Sequence, residues 1–103
     1  MAYKLIISKD AHADLNDIVR YISFELKSVQ AATTFLDDVE ESYNRLAVNP
    51  FVYAKCSDPL LERREYRKII IKNYLILFRV EEDNQAVYIV RIVYGGRNYV
   101  DML

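Results

Sequence analysis

The sequence of 103 residues is long enough for one hydrophobic core and too short for two independent ones, so we expect a single domain over residues 1–103. Apolar residues make up 52% of the chain, and only two glycines and two prolines are present, which is typical of a compact globular fold and not of a disordered segment. The apolar runs are shorter than the ~20 residues that cross a bilayer, and the first residues lack signal-peptide organisation. We therefore expect a cytoplasmic protein.

The charge is unevenly distributed, although the net charge is only −1. Residues 1–62 contain six Lys or Arg against ten Asp or Glu, a net charge of −4, whereas residues 63–103 contain eight against five, a net charge of +3. This positive last third favours an anionic partner, either nucleic acid or an acidic protein segment. The single Cys56 and the single His12 exclude an internal disulfide and a Cys/His metal cluster, so we expect no metal and no cofactor.

The first half of the sequence predicts one strand followed by two helices. A short apolar run over residues 3–7 predicts the strand, and Ser8 after it is a good helix N-cap. Apolar residues then recur at helical spacing to about Leu26, and again from a second cap at Ser28 to a stop at Asn49. Two amphipathic helices joined by so few residues fold back as a hairpin.

Three β-branched and aromatic runs in the last third predict an antiparallel meander. They are Tyr66 to Ile71, Tyr74 to Val80 and Ala86 to Tyr94. Tight turns between them pair Ile71 with Tyr74 and Glu81 with Ala86. Residues 49–62, before the strands, show no regular pattern and are predicted to be irregular. The whole order is βααβββ, an α+β fold in which the N-terminal strand and an α-helical hairpin pack on one face of a small twisted antiparallel sheet.

Side-chain alternation sorts the meander into two faces. The face expected beneath the helices is nearly all apolar and consists of Ile69, Ile71, Tyr74, Ile76, Phe78, Val80, Val87, Ile89 and Val93. The other face mixes aliphatic residues with cations and tyrosines, and consists of Lys68, Ile70, Leu75, Leu77, Arg79, Tyr88, Val90, Ile92 and Tyr94. That mixture suits a groove that receives a partner. Arg67 and Arg91 fall on the core face, so either they reach helix carboxylates such as Asp14 or Asp17, or the register shifts.

A series of short motifs extends over nearly the whole chain. The motifs are Ser8 with Ala11, Asp14-Leu15, Ile18 and Tyr21-Ile22, then Ala32, Phe35-Leu36, Leu46 and Asn49-Pro50, then Tyr66-Arg67, Asn73 to Val80, and Tyr88 to Tyr99. In this order and spacing they resemble the toxins of the RelE/ParE superfamily, which belong to type II toxin–antitoxin modules. The resemblance implies a growth inhibitor that a cognate antitoxin, laid over its sheet and helical hairpin, holds inactive in a hetero-oligomer. Some relatives cut mRNA in the ribosome, and others poison DNA gyrase without being nucleases.

Metal-free RNA cleavage needs groups that take up and release protons and cations that stabilise the phosphate. The candidates that the resemblance offers for catalysis or for another toxic contact are Arg67, Lys68, Arg79, Arg91, Tyr94, Arg97 and Tyr99. In ribonucleolytic relatives an arginine usually follows the turn that opens the middle strand, and here Leu75 stands in that place. The histidine common in the C-terminal motif is replaced by Tyr94. A metal-free mRNA endoribonuclease is therefore one possible activity.

The loss of one positioned donor costs a factor of roughly 10² to 10³ in rate, so Leu75 argues against an efficient nuclease. The predicted partner-binding surface is instead aliphatic and cationic, and consists of Lys68, Ile70, Leu75, Leu77, Arg79, Val90 and Ile92. We favour a gyrase-directed, ParE-like toxin. One alternative is a RelE-like, ribosome-dependent mRNA endonuclease, and an alternative of another class is a non-toxic module that only sequesters an antitoxin.

Overall fold

The computed structural model describes residues 2–96 and 98–103. Within these ranges the chain forms four strands and three α-helices, in the order β1 (Lys4–Ile7), α1 (Lys9–Arg20), α2 (Val29–Val48), α3 (Pro59–Arg63), β2 (Arg67–Ile71), β3 (Tyr74–Glu81) and β4 (Ala86–Tyr94). A π-helical turn over Tyr21–Glu25 extends α1, and 3₁₀ turns lie at Pro50–Val52 and Val100–Met102. No helix in the described part of the chain is long and apolar enough to cross a membrane.

The two long helices begin where the sequence predicts. The hydroxyl oxygen of Ser8 accepts a hydrogen bond from the backbone N–H of Ala11 at 2.9 Å, and that of Ser28 accepts one from Ala31 at 3.0 Å. Each bond satisfies a backbone donor that has no partner within the helix. The π-helical turn carries the first helix to Glu25, close to its predicted end.

The segment over residues 49–62, predicted to be irregular, contains the short helix α3. The carboxylate of Asp58 caps it by accepting hydrogen bonds from the backbone N–H groups of Leu60 at 2.9 Å and Leu61 at 3.3 Å. Pro59 occupies the first helical position, where its missing N–H costs nothing. A helix of five residues is too short to show a periodic apolar pattern, which is why the prediction missed it.

The sheet has the strand order β1-β4-β3-β2. The meander β2–β3–β4 is antiparallel, and the pairs Ile71 with Tyr74 and Glu81 with Ala86 confirm both predicted turns. The α+β class and the order of strands and helices are also confirmed. β1, however, does not lie on a face of the sheet: it joins the edge beside β4 and runs parallel to it, so the sheet is mixed. Parallel neighbours need a long crossover, and the helices lie within it.

A β-bulge in β4 changes the faces of the residues that follow it. Phe78 on β3 lies opposite Ile89, but the preceding Leu77 lies opposite Arg91, so Val90 is an extra residue. One extra residue reverses the in-and-out alternation beyond it. Ile92 therefore faces the helices, and Val93 faces away from them, which is the reverse of the prediction for both residues.

Both faces of the sheet carry buried apolar side chains. The main core lies between the sheet and the helical hairpin and includes Phe35, Val39, Leu46, Ile76, Phe78, Ile89 and Ile92. A second core lies on the outer face of the sheet and consists of Cys56, Leu61, Tyr66, Leu75, Leu77 and Val93, with Tyr99, Val100 and Leu103 packed against it. The outer face is thus covered in part by α3 and by the last residues of the chain.

Candidate functional site

The aliphatic side chains predicted to form an open partner-binding surface are mostly buried. Leu75 and Leu77 are 9% and 0% exposed in the second core, and Ile92 is 2% exposed in the main core. The prediction that these three residues line an open groove is wrong. The second core covers the two leucines, and the bulge turns Ile92 inward.

The other members of that surface keep some exposure. Ile70 is 66% exposed at the edge of the sheet, and Lys68, two residues before it on β2, is partly exposed on the same face. Arg79 on β3 is partly exposed, and Val90 at the bulge packs partly against the second core. These four residues remain candidates for contact with a partner.

Arg67 lies near the turn between β3 and β4. Its Nη1 donates a hydrogen bond to the backbone oxygen of Tyr53 at 2.6 Å, and its guanidinium carbon lies 5.1 Å from the centre of the Phe51 ring. Both contacts hold the residues before α3 against β2. They give Arg67 a structural role, whatever else it does.

Arg91 reaches the carboxylate of Asp14 on α1, which was one of the two predicted explanations for its place in the sheet. Its Nε and Nη2 each donate to one carboxylate oxygen at 2.8 Å, and the backbone N–H of Ile92 donates to Asp14 at 3.0 Å. The hydrogen bond to Asp14 raises the pKa of Arg91, and burial opposes this rise. Two-pronged arginine–carboxylate pairs are strong and geometrically specific, so Arg91 is fixed in position.

The two candidate tyrosines lie on different sides of the sheet. Tyr94 pairs with Tyr74 on the helix side and is 47% exposed. Tyr99 packs against the second core, and burial is the main reason that its pKa is raised. Arg97, the remaining candidate, lies outside the described residues.

A groove of about 770 Å³ opens between the helical hairpin and the end of the sheet, and we call it the hairpin groove. Its walls include Asp17, Tyr21 and Leu26 from the first helix and its π turn, Phe35 from α2, Lys72 from the turn after β2, and Tyr74, Arg91 and Tyr94 from the sheet. The ring of Tyr74 lies 5.2 Å from that of Phe35 and 5.8 Å from that of Tyr94, edge to face. Arg91 and Tyr94 are thus the candidates that meet in this groove.

Tyr74 is suited to donate a hydrogen bond in the hairpin groove. Burial, and secondarily the neighbouring Tyr21 and Tyr94, raise the pKa of its phenol, so the phenol keeps its proton at neutral pH. In the described part of the chain no group of three or more His, Cys, Asp and Glu residues is arranged to hold a metal ion. The groove therefore offers phenol donors, an arginine held by a carboxylate, and apolar walls.

Four exposed apolar side chains lie between the end of α1 and the start of α2, two of them at the groove, and we call this set the hairpin tip. It consists of Tyr21, Phe24, Leu26 and Val29, whose exposed fractions are 50%, 72%, 58% and 73%. Exposed apolar residues in one contiguous patch mark an interaction site more often than isolated ones do. Tyr21 entered the sequence analysis only as part of a motif, and Phe24 was not considered there. The available signal was that Phe24 falls outside the apolar stripe of the first helix.

Comparison with known proteins assigns the family. A family model described as "ParE toxin of type II toxin-antitoxin system, parDE" matches residues 5–99. No curated protein sequence matches significantly. Among solved structures, the fold is similar to that in the chromosomal ParDE toxin–antitoxin system of P. aeruginosa, with a TM-score of 0.69 and 21% identity over 90% of this chain and 96% of the other.

A second similar structure comes from the toxin–antitoxin complex RelBE2 of Mycobacterium tuberculosis. The TM-score is 0.63, and the sequences are 17% identical over 91% of this chain and 99% of the other. At such identities the two structures establish a shared fold, while the match over residues 5–99 establishes the family. The chain belongs to the ParE toxin family of type II toxin–antitoxin systems, within the RelE/ParE superfamily, and is a type II toxin.

Proposed function

We propose that this toxin inhibits growth by a ParE-like action on DNA gyrase, without cleaving RNA. The observation that carries the proposal is the dispersal of the candidate nuclease groups. Arg91 is engaged by Asp14, Arg67 by Tyr53 and Phe51, and Tyr99 packs on the opposite side of the sheet from Tyr94. A phosphate in a transition state needs its proton donor, proton acceptor and cations within hydrogen-bond reach of one place.

Leu75 supports the same proposal. It stands where ribonucleolytic relatives usually carry an arginine, and its side chain is 9% exposed in the second core. The position therefore contributes to packing and offers no cation to a substrate. An apolar hairpin tip beside a groove of about 770 Å³ suits the binding of a protein surface better than that of a phosphate backbone.

The proposal includes neutralisation by a cognate antitoxin in a hetero-oligomer. Support comes from the similar structures, one of which is a toxin–antitoxin complex and the other of which comes from a toxin–antitoxin system. Lys68, Ile70, Arg79 and Val90 are the predicted partner contacts that keep exposure. Because antitoxin and gyrase both act in the cytoplasm, we place this toxin there as well.

Induction of the chain in bacteria, with and without antitoxin, tests the proposal first. We expect growth arrest that the antitoxin reverses, and DNA breaks that depend on gyrase. The purified chain should inhibit gyrase supercoiling in vitro and leave ribosome-bound mRNA intact. Phe24→Asp tests the contribution of the hairpin tip, with Val52→Asp, also at an exposed apolar position outside the tip, as the matched control.

Three outcomes would contradict the proposal. Early cleavage of ribosome-bound mRNA with intact DNA would favour the RelE-like endonuclease. Unchanged growth after induction would show that the chain is not toxic and would favour a module that only sequesters an antitoxin. Equal loss of gyrase inhibition in Phe24→Asp and Val52→Asp would show that the hairpin tip has no specific role in the inhibition.

A further inference from the structure

The hairpin tip and the hairpin groove adjoin each other on the molecule. Tyr21 and Leu26 belong to both, because each is exposed in the tip and also lines the groove. Between them in the sequence, Phe24 is 72% exposed, while the groove beside it is a hollow of about 770 Å³. A partner that covers both features therefore has to offer an apolar side chain for the groove and, next to it, a hollow for Phe24.

A second copy of this chain carries that combination. Because the tip and the groove lie side by side, a two-fold axis beside them places the tip of each copy over the groove of the other. The same surface is then used by both copies, and the assembly closes at two chains. A tip and a groove on distant faces would form an open filament instead.

The groove suits an aromatic side chain such as that of Phe24. The ring of Tyr74 lies edge to face with those of Phe35 and Tyr94, at 5.2 Å and 5.8 Å. Phe35 is 2% exposed, whereas Tyr94 is 47% exposed. A phenylalanine from a second copy would extend this group of rings, and both copies would remove apolar surface from water.

The charges at the two features are complementary. Four exposed charged side chains border them, namely Glu25 and Lys27 at the tip and Asp17 and Lys72 in the groove. Within the described part of the chain none of the four forms a salt bridge. Two are positive and two are negative, so two copies that meet here carry no net charge against each other. Glu25 directly follows Phe24, and its charge is opposite to that of Lys72.

We propose that the free chain forms a two-fold dimer in which Phe24 of each copy fills the hairpin groove of the other. Glu25 of each copy pairs with Lys72 of the second copy. The dimer conceals the tip and the groove together, so the chain covers its own contact surface until another protein displaces the second copy. This inference goes beyond the proposed function and depends on neither gyrase nor antitoxin.

Sedimentation velocity of the purified free chain tests the dimer. We expect a dimer at about 100 μM and a monomer at about 0.1 μM, which corresponds to a micromolar dissociation constant. Phe24→Asp should weaken the dimer about 30-fold or more, because each dimer loses the buried aromatic residue twice. Val52→Asp, at an exposed apolar position outside the tip, is the matched control and should change the dissociation constant by about twofold at most.

A charge exchange tests how the two copies are arranged. Glu25→Lys and Lys72→Glu should each weaken the dimer about tenfold or more, because each places like charges together at two sites. The double variant, with both substitutions, should return to within about threefold of the unmodified chain. Restoration requires the two residues to meet across the dimer, since they form no salt bridge within one chain. A double variant as weak as the single variants would contradict the proposal.

Dilution followed by NMR locates the contact. The ring signals of Tyr74 and Tyr94 should move between the concentrated and the dilute chain, and Phe24→Asp should show the dilute positions at every concentration. Ring signals that do not move would overturn the proposal. So would a chain that is monomeric at all concentrations, a dimer that Phe24→Asp leaves intact, or a series of larger oligomers, because the contact would then not close. Failure to inhibit gyrase would overturn only the proposed function.

Discussion

Asp14 on α1 and Arg91 on β4 join the first helix to the sheet through two hydrogen bonds of 2.8 Å each. The carboxylate also accepts from the backbone N–H of Ile92, so it binds the strand next to the bulge residue Val90. The two side chains are 14% and 18% exposed, which limits screening by water. The pair thus fixes one wall of the hairpin groove and the position of Arg91.

Replacement of Asp14 by Asn should destabilise the fold. The variant keeps the shape of the side chain but loses the charge that pairs with Arg91, and we expect a loss of about 1.5–3 kcal/mol in the free energy of unfolding, as for hydrogen bonds to charged groups. Urea unfolding measures it. Asp17→Asn, at an exposed position on the same helix, is the control and should change stability by less than about 0.5 kcal/mol. Similar losses in the two variants would show that the ion pair contributes no stability.

Truncation of Leu77 tests whether the outer face of the sheet is a core. Leu77 is fully buried in the second core, so Leu77→Ala should cost about 2–5 kcal/mol. Ile70→Ala removes an aliphatic side chain that is 66% exposed and should cost far less, about 1 kcal/mol at most. Denaturant midpoints compare the two variants. If both cost the same, the outer face is open, as the sequence predicted.

Gly96 leaves room for the ring of Tyr94. A Cβ at position 96 would lie 2.5 Å from Cε2 of Tyr94, so Gly96→Ala should turn this half-exposed ring and change its edge-to-face contact with Tyr74. Stability should change by less than about 1 kcal/mol, since the ring can move into solvent. Aromatic NMR shifts of Tyr74 and Tyr94 report the movement.

Gly95→Ala is the matched control for this prediction. Its added Cβ would lie 3.3 Å from the backbone oxygen of Asn73 and 3.6 Å from Cγ of Leu75, both longer than the 2.5 Å contact that a Cβ at Gly96 would make. The two ring signals should therefore keep their positions in this variant. Unchanged signals in Gly96→Ala, or the same shifts in both variants, would disprove the contact.

The free energy of unfolding should fall at alkaline pH because the phenol of Tyr43 loses its proton more easily in the unfolded chain. Burial raises the pKa of this phenol to about 12, whereas in the unfolded chain it ionises near its ordinary value of 10.0. Folding therefore favours the protonated phenol. Its contribution is fully present below pH ~10 and is lost as the pH rises through the folded-state pKa, because the unfolded state releases its proton first.

Urea unfolding at pH 8, 10 and 11 checks this dependence. The stability of the unmodified chain should fall more steeply above pH ~10 than that of Tyr43→Phe, which has no proton to release. Tyr94→Phe, at an exposed position, is the control and should follow the unmodified chain. If the curves of Tyr43→Phe and the unmodified chain are parallel, Tyr43 is not the group responsible.

Local sequence determined most of the secondary structure. The caps at Ser8 and Ser28 and the two turns of the meander depend on contacts between residues a few positions apart, so their signals are readable in the sequence. The spacing of apolar residues then gave the helical hairpin and the α+β class. The order of short motifs also led to the correct superfamily, which the family match confirms.

Tertiary structure alone decided the faces, the edges and the groove. The bulge at Val90 adds one residue without any local signal, and it exchanged the sides of Ile92 and Val93. The parallel place of β1 beside β4, and the cover of α3 over Leu77, result from contacts between distant parts of the chain. Exposure, and with it the hairpin tip, depends on what the rest of the fold leaves uncovered.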